Sequence, residues 1–375
     1  MVNSIVVPPE WFTLTEVADS YTHTFAANKK SRSHTLFPSS TTRFFMLREG
    51  ILIYYVEQGK PKGCVDIVEC KVSIDKPGSK DESVRISPSI QGEVDLELSK
   101  LVITKEFVNW QMNRSEKDKP REDTFKSIAS AEVAGAVRFH ANIAFLKRQL
   151  ASYFRTVLNN QEQAVVAGSV VWHRLQKQMQ DLLTFINKPE NLMSPLTQHA
   201  AWNGGGAHPL VQLLWQSYAQ LLYLQIEADR RPENPYVGEM VDMYNKYIQS
   251  CLARTHVLAV GESDYDRNDP TMGIVRLNQV LAMQGRFDEY VPNTKILIDF
   301  SLNKSGPNLL ASTQCLLLAS ALRDVLGEVK QAKLWAEKAL EIFDNAPNKD
   351  YHPLVFPGTE AERRASLQSE VAKYK

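Results

Sequence analysis

Apolar residues along the chain follow two different periods. Between about residues 21 and 112 they come as short runs broken by turn residues. Phe44, Phe45, Met46 and Leu47 precede Arg48, Glu49 and Gly50, and Ile51, Leu52, Ile53, Tyr54, Tyr55 and Val56 follow. Two β-rich runs around a short glycine-containing turn predict a hairpin. A second turn over 58–63 leads into Val65, Ile67 and Val68, which extends the hairpin to a three-stranded meander. Further strands are expected at 21–25, 84–86, 94–98, 101–104 and 107–112, and a charged stretch over 115–123 closes the region.

Beyond it the period becomes helical. Phe139, Ile143, Leu146, Leu150, Phe154 and Val157 lie three or four residues apart, as do Trp172, Leu175, Met179, Leu182 and Ile186. Each set makes one apolar stripe on one helix. Residues 210–226 are apolar nearly all round, which predicts a buried helix. Met240, Tyr244, Tyr247 and Cys251 mark another, and connectors rich in Pro, Gly and Asn separate these segments. Gly285 and Gly327 each sit between two helical stretches, 42 residues apart, a spacing that fits stacked helical hairpins. The second of these units resembles a tetratricopeptide repeat. Gly327 holds the inter-helix turn, Ala332 and Ala339 are the small residues between helices, and Leu340 and Phe343 face the apolar side. Leu316, Ala319, Ser320 and Arg323 depart from that family's pattern on the first helix.

Composition narrows the functional classes. A chain of 375 residues suits two or three domains. Its 43 Lys and Arg balance 43 Asp and Glu, so no basic surplus exists of the kind that coats nucleic acid. Cys64, Cys70, Cys251 and Cys315 form no CxxC pair, which fits a reducing compartment better than a disulfide framework or a zinc site. The first residues show no basic, apolar leader, and no run approaches the ~18 apolar residues of a membrane span. A soluble, cytoplasmic chain is expected.

The meander resembles a pleckstrin-homology domain. Arg43, Phe44, Phe45 and Leu47 match that family's second strand, Ile51 to Tyr55 its tyrosine-rich third, and Gly63, Val65 and Asp66 its fourth. An amphipathic helix after the strands matches its closing helix, although Val137 and Phe139 stand where a tryptophan is usual. The resemblance implies a β-barrel or sandwich plugged at one end by that helix.

It also implies a candidate site. From Tyr21 to Arg48 the sequence holds Lys29, Lys30, Arg32, Arg43 and Arg48 and no acid. With the first strand ending near residue 25, Lys29, Lys30 and Arg32 fall on the loop before the second strand, where the family binds inositol phosphates. A multiply charged headgroup needs several converging cations, and Arg grips phosphate bidentately. Lys30 and Arg43 match the outer positions of the family's phosphoinositide signature, while Thr41 replaces its inner basic residue. The same cations also suit a solvated rim or an acidic protein partner.

Other constellations carry less. Asp264, Asp266 and Asn268 mimic half a calcium loop, but Asp269 and Val275 stand where glycine and a bidentate glutamate are needed. Gly204, Gly205 and Gly206 lack the Lys-Ser/Thr of a phosphate loop and read as a connector. The eight histidines include no HExxH, and no nucleophile motif is present.

These features predict an α+β, multidomain chain. A pleckstrin-homology-like β domain with its closing helix spans 18–150, an α-helical domain 151–265, tetratricopeptide-like hairpins 271–346 and a partly helical tail 347–375. The expected role is a non-enzymatic adaptor without cofactor or metal, peripheral on membranes. Lys29, Lys30, Arg32 and Arg43 would meet anionic lipid or phosphoinositide, and the helical array would hold a protein partner. No nucleic acid is expected. The alternative is a purely protein-binding scaffold subunit of a larger complex.

Overall fold

Strands of the first unit alternate buried and half-buried side chains, which sets one face of a sheet against a helix. The computed structural model describes residues 23–30, 40–48, 50–55, 61–87, 95–103, 126–127, 129–160, 166, 168–188, 209–231, 233–255, 269–347 and 359–374. These fall into two units, 23–214 and 215–374.

In the first unit the strands are β1 (His23–Lys30), β2 (Ser40–Arg48), β3 (Ile51–Tyr55), β4 (Pro61–Asp66), β5 (Lys71–Asp75), β6 (Ser83–Ser87), β7 (Leu96–Ile103) and the short β8 (Lys126–Ser127). They form one antiparallel sheet in the order β4-β3-β2-β1-β7-β6-β5, with β8 on β7. Phe25, Phe45, Leu47, Leu52, Val84, Ile86, Leu96 and Leu98 bury one face. Helix α1 (Ser130–Asn159) lays Val133, Ala134, Val137 and Ala141 against them and packs on β2, β5, β6 and β7. Each large side chain so buried contributes roughly 1.5–3 kcal/mol.

Close contacts fix where α1 lies. Gly50, in the β2–β3 turn, has φ +78°, and a methyl there would meet Ala144 of α1 and approach Val68 to 2.9 Å. Arg138 donates to the Val72 carbonyl of β5 at 2.9 Å, and Arg148 reaches Asp66 at the end of β4 at 2.9 Å. So α1 ties together the two strands at the ends of the sheet order. Its N-terminus has no cap of its own, since Ala129 offers no side-chain acceptor. Glu82 supplies one from the β5–β6 connection, accepting from the Ser130 hydroxyl and backbone N–H and from the Gly78 N–H at 2.6 Å. Those bonds hold the Glu82 carboxyl below the usual carboxylate range.

The strand boundaries differ from expectation in several places. β4 starts at Pro61, inside the turn expected over 58–63, and ends at Asp66, and the short β8 was not expected. β1 runs on to Lys30 because it pairs with β2 along its whole length. Residues 96–103 make one strand, with a bulge where Lys100, at φ +50°, and Leu101 both face Ala27. β5 was not expected, because Val72 and Ile74 are a signal of only two alternating apolar residues. The strand expected at 107–112 and the stretch 115–123 lie outside the described residues. α1 continues to Asn159, as the stripe through Leu150, Phe154 and Val157 leads one to expect, so the domain boundary expected at 150 falls inside this helix. Helix α2 (Val170–Ile186) begins at Ser169, whose hydroxyl accepts from the Trp172 N–H at 3.0 Å, and packs Phe185 on Phe145 with ring centroids 4.6 Å apart.

Helix α3 (Pro209–Ala228) is buried over most of its length, and its residues from Trp215 belong to the second unit. There follow α4 (Val237–Thr255), α5 (Thr271–Met283), α6 (Phe287–Ser305), α7 (Leu309–Asp324), α8 (Val329–Asn345) and α9 (Glu360–Ala372). α5 and α6 make one hairpin and α7 and α8 another, and α6 packs on α7. Gly285 and Gly327 turn these hairpins at φ +67° and +68°. Glu328 N–H then bonds back to the Leu322 carbonyl at 2.8 Å, ending α7 as a left-handed cap does. Ala332 and Ala339 are fully buried between the helices, where larger side chains would force them apart. Asn308 caps α7 through the Ala311 N–H at 2.9 Å, and Asp269 caps α5 through the Thr271 N–H at 2.8 Å. Among the described residues, no helix is long and apolar enough to cross a membrane.

Candidate anion-binding site

The register of β1 on β2 decides what the clustered cations can do. Phe25 pairs with Phe45, Ala27 with Arg43 and Lys29 with Thr41. Side chains two apart share a face, so Lys29 and Arg43 lie on the core face, beyond the Phe25–Phe45 stack (5.2 Å between centroids). They are diagonal neighbours, a relation that separates backbones by about 7–8 Å and lets long side chains converge. Lys29 Nζ sits 3.7 Å from the centroid of the Tyr54 ring. Tyr54 in turn lies tilted against Phe45 at 6.2 Å and fills the space above Gly63, where a methyl would come within 2.7 Å of its Cζ. Glycine at 63 is therefore what lets the ring lie flat beneath the ammonium. Among the described residues, Arg43 donates to the Thr42 carbonyl, at 2.8 Å. Neither Lys29 nor Arg43 has a carboxylate partner among the described residues.

Lys30 is placed differently. It points to the opposite face of β1, where β7 brings Glu97 opposite to it, and the two form an ion pair at 2.5 Å. The hydrogen bond from Lys30 holds the Glu97 carboxyl below the usual range, and Ser83 and Arg85 help. Arg85 is in turn bound by Asp75, with Nε to Oδ2 at 2.7 Å. Lys30 thus belongs to a neutralised network on the outer face. The stretch that is free of acids in sequence is not free of them in space. Lys29 and Lys30 both lie on a strand rather than on a loop, and Arg32 falls outside the described residues.

Tyr223 Oη lies 3.1 Å from Glu227 and 2.7 Å from Gln279, with Arg276 over its ring at 5.3 Å. Burial, aided by Glu227, pushes this phenol far above its ordinary range, so it stays a proton donor that links α3 to α5. Burial also pushes the Cys70 thiol up to about 11 and the Cys315 thiol up to about 12, so both stay protonated at neutral pH. Among the described residues, no three His, Cys, Asp or Glu side chains are grouped to hold a metal ion. Trp172 is fully buried, Trp215 and Trp335 are half-buried, and Lys338 lies over Trp335 at 4.7 Å. Trp202, the calcium-loop mimic over 264–268 and the triple glycine lie outside the described residues. Compared with protein-family models, with curated proteins and with solved structures, the chain matches none.

Proposed function

We propose that the chain is a non-enzymatic adaptor. Its N-terminal sheet is a pleckstrin-homology-like domain with modest affinity for anionic headgroups, and its helical hairpins hold a protein partner. The strand order, in which β1 joins the β2–β4 meander to β5–β7 and a helix spans the two ends, supports the domain reading. One observation carries the ligand reading: Lys29 and Arg43 share the core face, at the end of β1 that leads into the β1–β2 connection, with no carboxylate partner among the described residues. Two diagonal cations suit one phosphate, Lys as a point charge and Arg as a fork. With Lys30 neutralised and Thr41 in place of a third cation, the affinity is modest, roughly 1 kcal/mol per basic residue near an anionic surface.

Sedimentation with neutral vesicles and with vesicles carrying phosphatidylserine or single phosphoinositides tests this. Binding should need anionic lipid, fall with Lys29→Ala and Arg43→Ala, and survive Lys30→Ala. No binding to any vesicle would leave the second reading, a scaffold subunit that meets only proteins. The Lys30–Glu97 pair favours that alternative, because it removes one of the four expected cations from the site.

A further inference from the structure

Helix α9 is docked on the second unit in an unusual way. Of its thirteen residues only Leu367 and Glu370 are buried, and most of the rest face solvent. Leu367 enters the cluster built by Leu318, Leu322, Ala339 and Phe343 of α7 and α8, and Tyr374 packs on its edge. Glu370 meets Arg323, the next-to-last residue of α7, and also accepts from Lys373 at 2.6 Å and Tyr374 Oη at 3.2 Å. At the other end Arg364 reaches Asp344 of α8 at 2.9 Å. These pairs run α9 from the end of α8 toward the α7–α8 turn.

Two features make this surface more than a resting place for α9. Arg323 is oriented without it: Asp324 accepts from Nε at 2.6 Å and from Nη2 at 2.7 Å, so the guanidinium stays aimed when α9 leaves. The apolar surface also continues beyond it. Just past Arg323, Val325 and Leu326 are 53% and 42% exposed, and Val329 across the turn is 53% exposed.

We propose that the α7–α8 seam is a helix-docking site that α9 fills in the resting chain. Its partner is an amphipathic helix with Leu, Glu and an aromatic residue at the spacing of Leu367, Glu370 and Tyr374, followed by apolar residues. Charge complementarity sets the middle position, because Arg323 needs an acid. The apolar extension over Val325, Leu326 and Val329 is what lets a longer helix win against a tethered one. A thirteen-residue helix is marginal on its own, so α9 opens locally while α7 and α8 stay folded. This deepens the protein-partner half of the function above and stands apart from the lipid half, so vesicle results do not bear on it.

Hydrogen exchange on the full chain, with a labelled peptide of residues 359–374 as probe, tests the proposal. In the wild type, amides of 360–372 should exchange at least about tenfold faster than those of α7 and α8. Leu367→Ala should speed exchange in α9 alone and let the peptide bind at least about tenfold tighter than to the wild type, whose own helix competes at high effective concentration. Arg323→Ala should lose the peptide. A Glu370→Gln version of the peptide should also fail on the Leu367→Ala chain, which keeps the test free of any damage Arg323→Ala does to the fold. Equal protection of α9 and α7–α8 overturns the proposal, as does peptide binding indifferent to Glu370. A concentration-dependent dimer exchanging α9 between copies would replace the foreign helix with a second copy of this chain.

Discussion

Lys29 and Lys30 are neighbours in the chain and occupy opposite faces of β1, one stacked on Tyr54 and the other paired with Glu97. A single residue of register separates a cation with no carboxylate partner among the described residues from one already neutralised. The acid that neutralises Lys30 comes from β7, far along the sequence, so charge counting within the first fifty residues cannot see it.

The Lys30–Glu97 pair makes stability depend on acid. Glu97 has a folded pKa below its unfolded value of about 4.3, so the pair's contribution is complete above that value. It is lost as pH falls through the folded pKa. The stability gap between wild type and Glu97→Gln in urea should be present at neutral pH and close in acid. Solvent keeps it below about 1 kcal/mol. A gap unchanged by acid would show that the Glu97 charge is not its source.

Gly63 and Tyr54 should behave as a coupled pair. Gly63→Ala forces the ring aside and costs about 1–3 kcal/mol. Tyr54→Leu clears the space and should absorb part of that cost in the double variant, a coupling that a double-mutant cycle reads directly. Additive losses would mean that Tyr54 does not fill the space above Gly63.

Two glycines with similar backbones should differ sharply on substitution. Gly50 and Gly78 have φ of +78° and +75°, but only Gly50 faces neighbours, Ala144 and Val68. Gly78→Ala should cost only the left-handed penalty of about 1–2 kcal/mol, and Gly50→Ala about 2–5 kcal/mol with the clash added. Urea unfolding of both variants gives the comparison, and equal losses would deny the close approach of α1.

In the second unit, Phe343→Ala should cost about 3–5 kcal/mol by opening the fully enclosed core of the α7–α8 hairpin. Leu334, on α8 and 64% exposed, should tolerate alanine within about 0.5 kcal/mol. Hydrogen exchange across 309–347 separates the two.

How much of this could be read in advance depends on the signal each element leaves. The β2–β3–β4 meander was legible because long β-rich runs flank Gly50 and follow it, although Gly63, expected in a turn, lies within β4. The hairpins around Gly285 and Gly327 were legible because apolar stripes flank left-handed turns. β5 left almost no trace, having two apolar residues and an exposed partner face. β1 was cut short because Asn28, Lys29 and Lys30 look like a loop until β2 pairs with them. The cluster of cations was legible in sequence, Lys29 and Arg43 among them, but which of its members share a face was not. Lys30 rather than Lys29 fitted the spacing of the family signature, and only register shows which of them Arg43 accompanies. The docking of α9 was invisible for a similar reason: one leucine and one glutamate make no stripe.

The borrowed cap of α1 has a consequence for how the chain folds. Its donors at Ser130 are satisfied by a carboxylate some fifty residues earlier, carried by the β5–β6 connection. Local bonds to the Ala129 carbonyl leave these donors open, so the first turn gains its cap only when that hairpin has formed. A nascent α1 would fray at its start and hold at its middle, where the apolar stripe is. The helix that closes the sheet is thus timed by the sheet, and an unpaired β5–β6 hairpin leaves it unlatched.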